Sequence, residues 1–247
     1  MKIALLSSQI VSTTIFFASN FVAAQSANPF GIPTEESPTP AANVVAAAGS
    51  RAQGWLGQGR SEVIARHGIV ATSDTLAAQA GLEILQAGGN AVDAAVAAGA
   101  VLDVTSQNDT GIAGDLFALV YVAKENKLYA LNSAGWAPAG WTPEFFKNDL
   151  GLDSVPGSGV NAATVPGAIS GYDALLSRFG TLGFQETFER AARIAEEGWG
   201  QGERRHRDLV SSEQRLQNDD YSSEVFLENG KAPDLYKILR NPDLARA

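Results

Sequence analysis

The residues able to do chemistry are few and scattered along this chain. Asp109-Thr110-Gly111 has the makeup of an aspartic-protease triplet, but that chemistry needs two such carboxylates sharing a proton. Ser106, Gln107 and Asn108 precede it and no second copy exists, so it reads as a polar loop entering a glycine turn. Gly111-Ile-Ala-Gly114 offers backbone N–H groups to an anion, yet lacks the following helix of a dinucleotide or phosphate loop. Gly157-Ser158-Gly159 lacks the five-residue pattern of a nucleophile elbow. His67 and His206 have no catalytic companion at a recognisable spacing, and Glu196-Glu197 reads as a solvated face. Asn108-Asp-Thr110 is a glycosylation triplet, relevant only in a eukaryotic secretory pathway. Spacing alone therefore assigns no catalytic residue, no metal ligand and no cofactor-binding residue.

Composition narrows the field further. The 247 residues, 45% apolar and 18% charged, are enough to bury a core. Lys and Arg number 18 against 27 Asp and Glu, a formal charge of −9. Such a surface repels phosphate backbones, so nucleic acid is not an expected partner. Cysteine is absent, which removes disulfides, thiolate metal sites and thiol catalysis.

Met1 to Ala24 has one charge, Lys2, then an apolar middle around Ile10 to Phe17 and small residues at Val22 and Ala24. This is the layout of a signal peptide over 1–24, cleaved before Gln25. It predicts an exported protein, periplasmic or secreted. The apolar middle is too interrupted by Ser and Thr for stable membrane insertion. Residues 25–60 carry Pro29, Pro33, Pro38 and Pro40, then a small, Gly-rich run, and read as a flexible linker. The remaining domain spans 61–247.

Within that domain Gly68 to Ser73 is a β-branched run expected to form a strand. Asp74 suits an N-cap, Leu76 to Ala87 has helical spacing, and Gly88-Gly89 ends it. Asn90 opens a second helix, Ala91 to Val104, so apolar that it must lie in a buried layer. Leu116 to Ala123 reads as a central strand covered on both faces. It turns through Lys124 to Lys127, with Asn126 suited to a left-handed conformation, into a partner strand over Leu128 to Leu131. Asn161 to Val165 is expected as a further short strand. Ala168 to Phe179 and Phe184 to Glu197 are amphipathic helices, and Arg204 to Arg215 and the tail from Ser222 are surface-like. These elements make a layered α/β domain with antiparallel pairing.

Gly88-Gly-Asn-Ala-Val-Asp-Ala-Ala-Val-Ala97 resembles the γ-glutamyltranspeptidase family. So do Gly68 to Ser73 with Ala77 to Leu85, and Thr110-Gly-Ile-Ala-Gly-Asp-Leu-Phe-Ala-Leu-Val-Tyr121. Ala137-Pro138, Thr142-Pro143, Val165-Pro-Gly167 with Gly171, and Phe179-Gly-Thr-Leu182 continue the series in order. The resemblance covers residues 66 to 247. It implies an α/β fold, the N-terminal-nucleophile hydrolase αββα sandwich, incomplete here and limited to the large-subunit portion. Members of the family are precursors that cut themselves before a threonine. The freed hydroxyl attacks a γ-glutamyl amide, with the threonine's own amine as base. The implied partners are the chain's own C-terminal small subunit after self-cleavage and a small-molecule amide or γ-glutamyl substrate. No cofactor is implied.

Two departures from the family pattern stand out. No threonine here lies in a Thr-Thr-His-like context, so the nucleophile is expected beyond Ala247 and this chain alone is expected to be inactive. Family γ-glutamyl enzymes also hold the substrate α-carboxylate with an arginine ahead of an Ala-Pro pair. In Asn132-Ser-Ala-Gly-Trp-Ala-Pro138 that position is Ala134, and no arginine lies between Arg66 and Arg178. With Gly114-Asp115 in place of a longer glycine run, this resembles a divergent branch of amidohydrolases and acylases. Trp136 then lines the acyl pocket, or else packs in the core.

Overall fold

The computed structural model describes residues 63–247. The expected signal peptide (1–24) and linker (25–60) lie outside the described residues. Asp74 starts the first helix, α1 (Thr75–Gln86), its carboxylate accepting from Leu76 N at 2.7 Å and Ala77 N at 3.3 Å. Such a cap contributes about 1 kcal/mol. Gly88, at φ +98°, reverses the chain, a conformation glycine adopts without steric cost. Asn90 then opens α2 (Ala91–Thr105), its side chain and that of Asp93 capping each other's backbone. The small faces Ala94, Ala97, Ala98 and Ala100 are all buried. They let α2 lie close to its neighbours, and α1 and α2 form the expected hairpin.

Gly68 to Ser73 is not a strand. No neighbouring strand among the described residues offers it a hydrogen-bonding edge. Val70 packs against the α1–α2 core instead, while Ile69 stays exposed.

Strands β1 (Leu116–Val122) and β2 (Lys127–Ser133) pair antiparallel from Leu116 opposite Ser133 to Val122 opposite Lys127. Asn126 turns the hairpin at φ 49°. Leu116, Ala118, Val120 and Leu131 pack on a buried cluster of Val96, Tyr172, Leu175 and Leu176. The opposite face corrects the expectation of a strand covered on both sides. Phe117, Leu119 and Tyr121 are 67%, 73% and 59% exposed, and Leu128 on β2 is also exposed. Among the described residues a helical layer exists for one face of the hairpin only.

Helices α3 (Ala168–Phe179) and α4 (Phe184–Glu197) stand where the sequence places them. Their apolar faces complete two clusters, Tyr172, Leu175 and Leu176 against the hairpin, and Ala191, Ile194 and Ala195 against α2. The expected strand at Asn161 to Val165 is instead a 3-10 turn, Val160–Ala162, followed by irregular chain. Beyond α4, the short strand β3 (Trp199–Gly200) leads to α5 (Glu203–Gln217) and α6 (Asp220–Phe226). Strand β4 (Ile238–Leu239) pairs antiparallel with β3, and α7 (Pro242–Arg246) follows. The β3–β4 pair brings Leu239 and Trp199 to the α4 core. No described helix is long and apolar enough to cross a membrane.

Candidate functional site at the open end of the hairpin

Three segments meet where β1 begins and β2 ends. Asp115 accepts a hydrogen bond from Gly135 N at 3.0 Å, tying the chain after β2 to the residue before β1. Asn132 Oδ1 accepts from Ala134 N at 3.0 Å, tightening the same turn. From the third segment, Val165 N donates to Trp136 O at 3.0 Å. Gly114 O accepts from both Gly167 N (2.9 Å) and Ala168 N (2.8 Å), satisfying N–H groups that helix geometry leaves free at the start of α3. Ser133 Oγ donates to Gly167 O at 2.8 Å and lies 3.1 Å from Ser170 Oγ.

Contact is so close that side chains are excluded. A Cβ on Gly135 would stand 1.5 Å from Val165 O, and one on Gly167 would stand 2.1 Å from Ser133 O. The 133–136 turn is therefore held by backbone against backbone. It presents Ala134 and Trp136 outward, with Trp136 86% exposed. Among the described residues, nothing packs over Trp136 to bury it. Among the described residues no arginine contact to this turn is found. Arg178 stands over the Tyr129 ring at 4.5 Å, at the other end of α3 from Gly167.

The remaining sequence candidates are dispersed. Asp109 pairs with Arg204 at 3.0 Å. Gly114 N closes a turn on Gly111 O at 2.9 Å. Ser158 and His67 are exposed in loops, and Glu196 and Glu197 end α4 in solvent. The His206 ring nitrogen Nδ1 lies 2.9 Å from Pro233 O, a link between α5 and the following loop. Among the described residues no group of three or more His, Asp and Glu could hold a metal ion.

Two buried acids on α2 went unread in the sequence. Asp93 is fully buried yet holds its proton less tightly than an ordinary aspartate. Burial pushes its pKa up, but hydrogen bonds from the Thr181 hydroxyl and from Asn90, Thr181 and Leu182 N–H outweigh that. Asp103 shows the opposite balance. Burial raises its carboxyl to about 6, against hydrogen bonds from Tyr172 and Thr110 that favour the ionised form. Burial and the Asp103 charge push the Tyr172 phenol up in turn. Thr110 lies on the loop that leads to Gly114 and Asp115, so Asp103 braces one wall of the site from behind.

Comparison with known proteins places this geometry. The gamma-glutamyltranspeptidase profile matches residues 77–247. A glutathione hydrolase-like YwrD proenzyme from Bacillus subtilis (strain 168) is 33% identical over 172 residues, 69% of this chain and 32% of that protein. The gamma-glutamyltranspeptidase of Helicobacter pylori superposes with a TM-score of 0.71 at 28% identity, covering 75% of this chain and 54% of that one. A cephalosporin acylase from Bacillus halodurans superposes at 0.66 with 35% identity, covering 76% and 38%. The chain spans about a third of the length of the curated relatives it matches. Its fold class is therefore the α/β N-terminal-nucleophile hydrolase fold of these neighbours. The chain belongs to the gamma-glutamyltranspeptidase family.

Proposed function

We propose that the protein containing this chain is an exported amide hydrolase or acyltransferase, made as a precursor that cuts itself at a threonine on a further C-terminal segment. Proenzyme relatives support this reading, as does the bare apolar face of β1–β2, which suits a second sheet supplied by a small subunit. The threonine hydroxyl attacks the amide carbonyl, its α-amine takes the proton and returns it to the leaving amine, and water or an acceptor amine then takes the acyl group. Residues of this chain form one wall of the acyl pocket, with Ala134 and Trp136 at its rim.

One observation narrows the substrate. Ala134 occupies the position that the resemblance gives to a carboxylate-binding arginine, and among the described residues no arginine contacts the turn that carries it. Glutathione-type γ-glutamyl amides are the family default. The methyl group of Ala134 beside the exposed Trp136 indole favours the amidase or acylase branch, whose acyl groups need no α-carboxylate clamp. Losing a bidentate arginine contact costs a carboxylate substrate about 2–5 kcal/mol. The test compares γ-glutamyl-p-nitroanilide with butyryl-p-nitroanilide, which has a plain acyl chain, on the full protein. The reading expects kcat/KM at least tenfold higher for the butyryl amide, and reversal of that preference by Ala134→Arg. Preference of the unaltered protein for the γ-glutamyl amide restores the glutathione-type reading.

A further inference from the structure

The wall at the open end of the β1–β2 hairpin is almost free of charge. Its three segments, residues 113–117, 131–138 and 163–170, contain one ionisable side chain, Asp115. Asp115 stands one step beyond the last strand pair, Leu116 opposite Ser133. Side chains alternate along a strand, so it falls on the exposed face with Phe117, the face that Ala134 and Trp136 share. One carboxylate oxygen, Oδ1, accepts from Gly135 N at 3.0 Å. The other, Oδ2, has no partner among the described residues, and Asp115 is in no ion pair there.

The basic residues of the hairpin lie at its other end. Lys127 pairs opposite Val122 and stands over the Tyr129 ring, as Arg178 does. Val122 is seven residues along β1 from Asp115, about 23 Å at roughly 3.3 Å per residue. Gly135 lies between Ala134 and Trp136, so its hydrogen bond sets the Asp115 carboxylate beside both side chains. The Trp136 indole is left uncovered. A carboxylate beside an uncovered indole suits a cation, through charge and through attraction to the ring face. An anion at the same place meets the Asp115 charge. Once the apolar face of β1–β2 is covered, water is reduced and that charge acts more strongly.

We propose that Asp115 is a specificity-determining residue, and that the acyl groups taken at the hairpin end carry a cationic tip, an ammonium or a guanidinium. The tip pairs with the Asp115 carboxylate and lies against the Trp136 indole. This rests on the reading of the hairpin end as a wall of the acyl pocket, and adds the charge that its substrate carries. With alanine at 134 and a carboxylate at 115, the order of preference is cationic over neutral over anionic acyl chains. A basic side chain supplied by the further C-terminal segment is the competing occupant of Asp115, and it would abolish that order.

Three p-nitroanilides are compared on the full protein: 4-guanidinobutyryl, butyryl and glutaryl, which end in a cation, a methyl group and a carboxylate. The expected kcat/KM is at least about fivefold higher for the guanidino amide than for the butyryl amide, mainly through KM, and lowest for the glutaryl amide. Added sodium chloride should raise KM for the guanidino amide and spare the butyryl amide. Asp115→Asn keeps an oxygen for Gly135 N and should cut the guanidino-to-butyryl ratio at least about threefold. That ratio is taken within one preparation, so it does not depend on how much of the variant folds. Turnover of the butyryl amide without an advantage for the guanidino amide, or an advantage unchanged in Asp115→Asn, overturns the proposal and leaves the amide hydrolase reading standing. Turnover of none of the three overturns both.

Discussion

The Thr181 hydroxyl donates to Asp93 Oδ2 at 2.6 Å, while Thr181 N and Leu182 N donate to Oδ1 of the same carboxylate at 2.9 and 3.1 Å. One carboxylate near the start of α2 thus fixes the α3–α4 connection, and through Asn90 N at 2.8 Å its own helix start. Asp93→Asn keeps the shape but removes the charge and turns acceptors into a donor facing donors. The expected loss is roughly 3 kcal/mol at neutral pH, in the range for breaking a buried charged network. Because folding lowers the Asp93 pKa, the stabilisation is present above the ordinary aspartate range and is lost as pH falls through the folded-state value. Denaturant midpoints of both proteins should converge in strong acid.

Asp103 works with the opposite sign. Its folded-state pKa of about 6 lies above the unfolded value, so the folded protein binds the proton more tightly. Asp103 accordingly destabilises the fold increasingly as pH rises from about 4 to 6, and the full penalty persists above that. The shift corresponds to about 3 kcal/mol at most. Asp103→Asn retains an acceptor for the Tyr172 hydroxyl, 3.1 Å away in the unaltered protein. It should be more stable than the parent at pH 8 and no more stable at pH 4, by urea denaturation at both values.

Gly135 and Gly140 lie five residues apart and should respond differently to the same change. Alanine at 135 drives a Cβ into the Val165 carbonyl, whereas alanine at 140 meets nothing within 4 Å. Gly135→Ala should cost about 2–4 kcal/mol, as backbone overpacking does. Gly140→Ala should stay within about 0.5 kcal/mol. Thermal melts of the two variants of the full protein check this. Turnover should fall in the first variant only, because the turn carrying Ala134 and Trp136 is displaced.

Trp136→Ala tests the rim. An exposed indole contributes little to folding, so Tm should hold within about 2 °C, the shift of a sub-kcal/mol change. If the ring covers the acyl chain, KM for butyryl-p-nitroanilide should rise about tenfold with kcat much less affected. Unchanged KM would remove Trp136 from the pocket.

Much of the helical layer was legible because caps and apolar period coincide there. Asp74, Asn90 and Gly88 bound α1 and α2 within a residue of the expected limits, and α3 and α4 match theirs. Gly68 to Ser73 is no strand because pairing requires a neighbouring edge, and among the described residues this segment has none. The apolar run of β1 promised cover on both faces, yet Phe117, Leu119 and Tyr121 stand exposed. Composition registers that a face wants burial and is silent on which chain buries it. The site's Ala134, Trp136 and Gly114-Asp115 were legible through the family resemblance alone, and its three-way backbone contact was not legible at all. Asp115, Gly135 and Gly167 converge from three segments with no fixed spacing, so no one segment announces the contact. Two acids inside the otherwise apolar α2 were a readable clue to the Asp93 and Asp103 networks.

Intact mass of the purified full-length protein decides whether the protein containing this chain is the self-processing amide hydrolase or acyltransferase proposed above. Two fragments are expected, the smaller beginning with threonine, that co-purify through the Phe117–Leu119–Tyr121 face. Their separation on Leu119→Asp would identify that face. A single uncut chain, stable over days and without turnover of either p-nitroanilide, would contradict it.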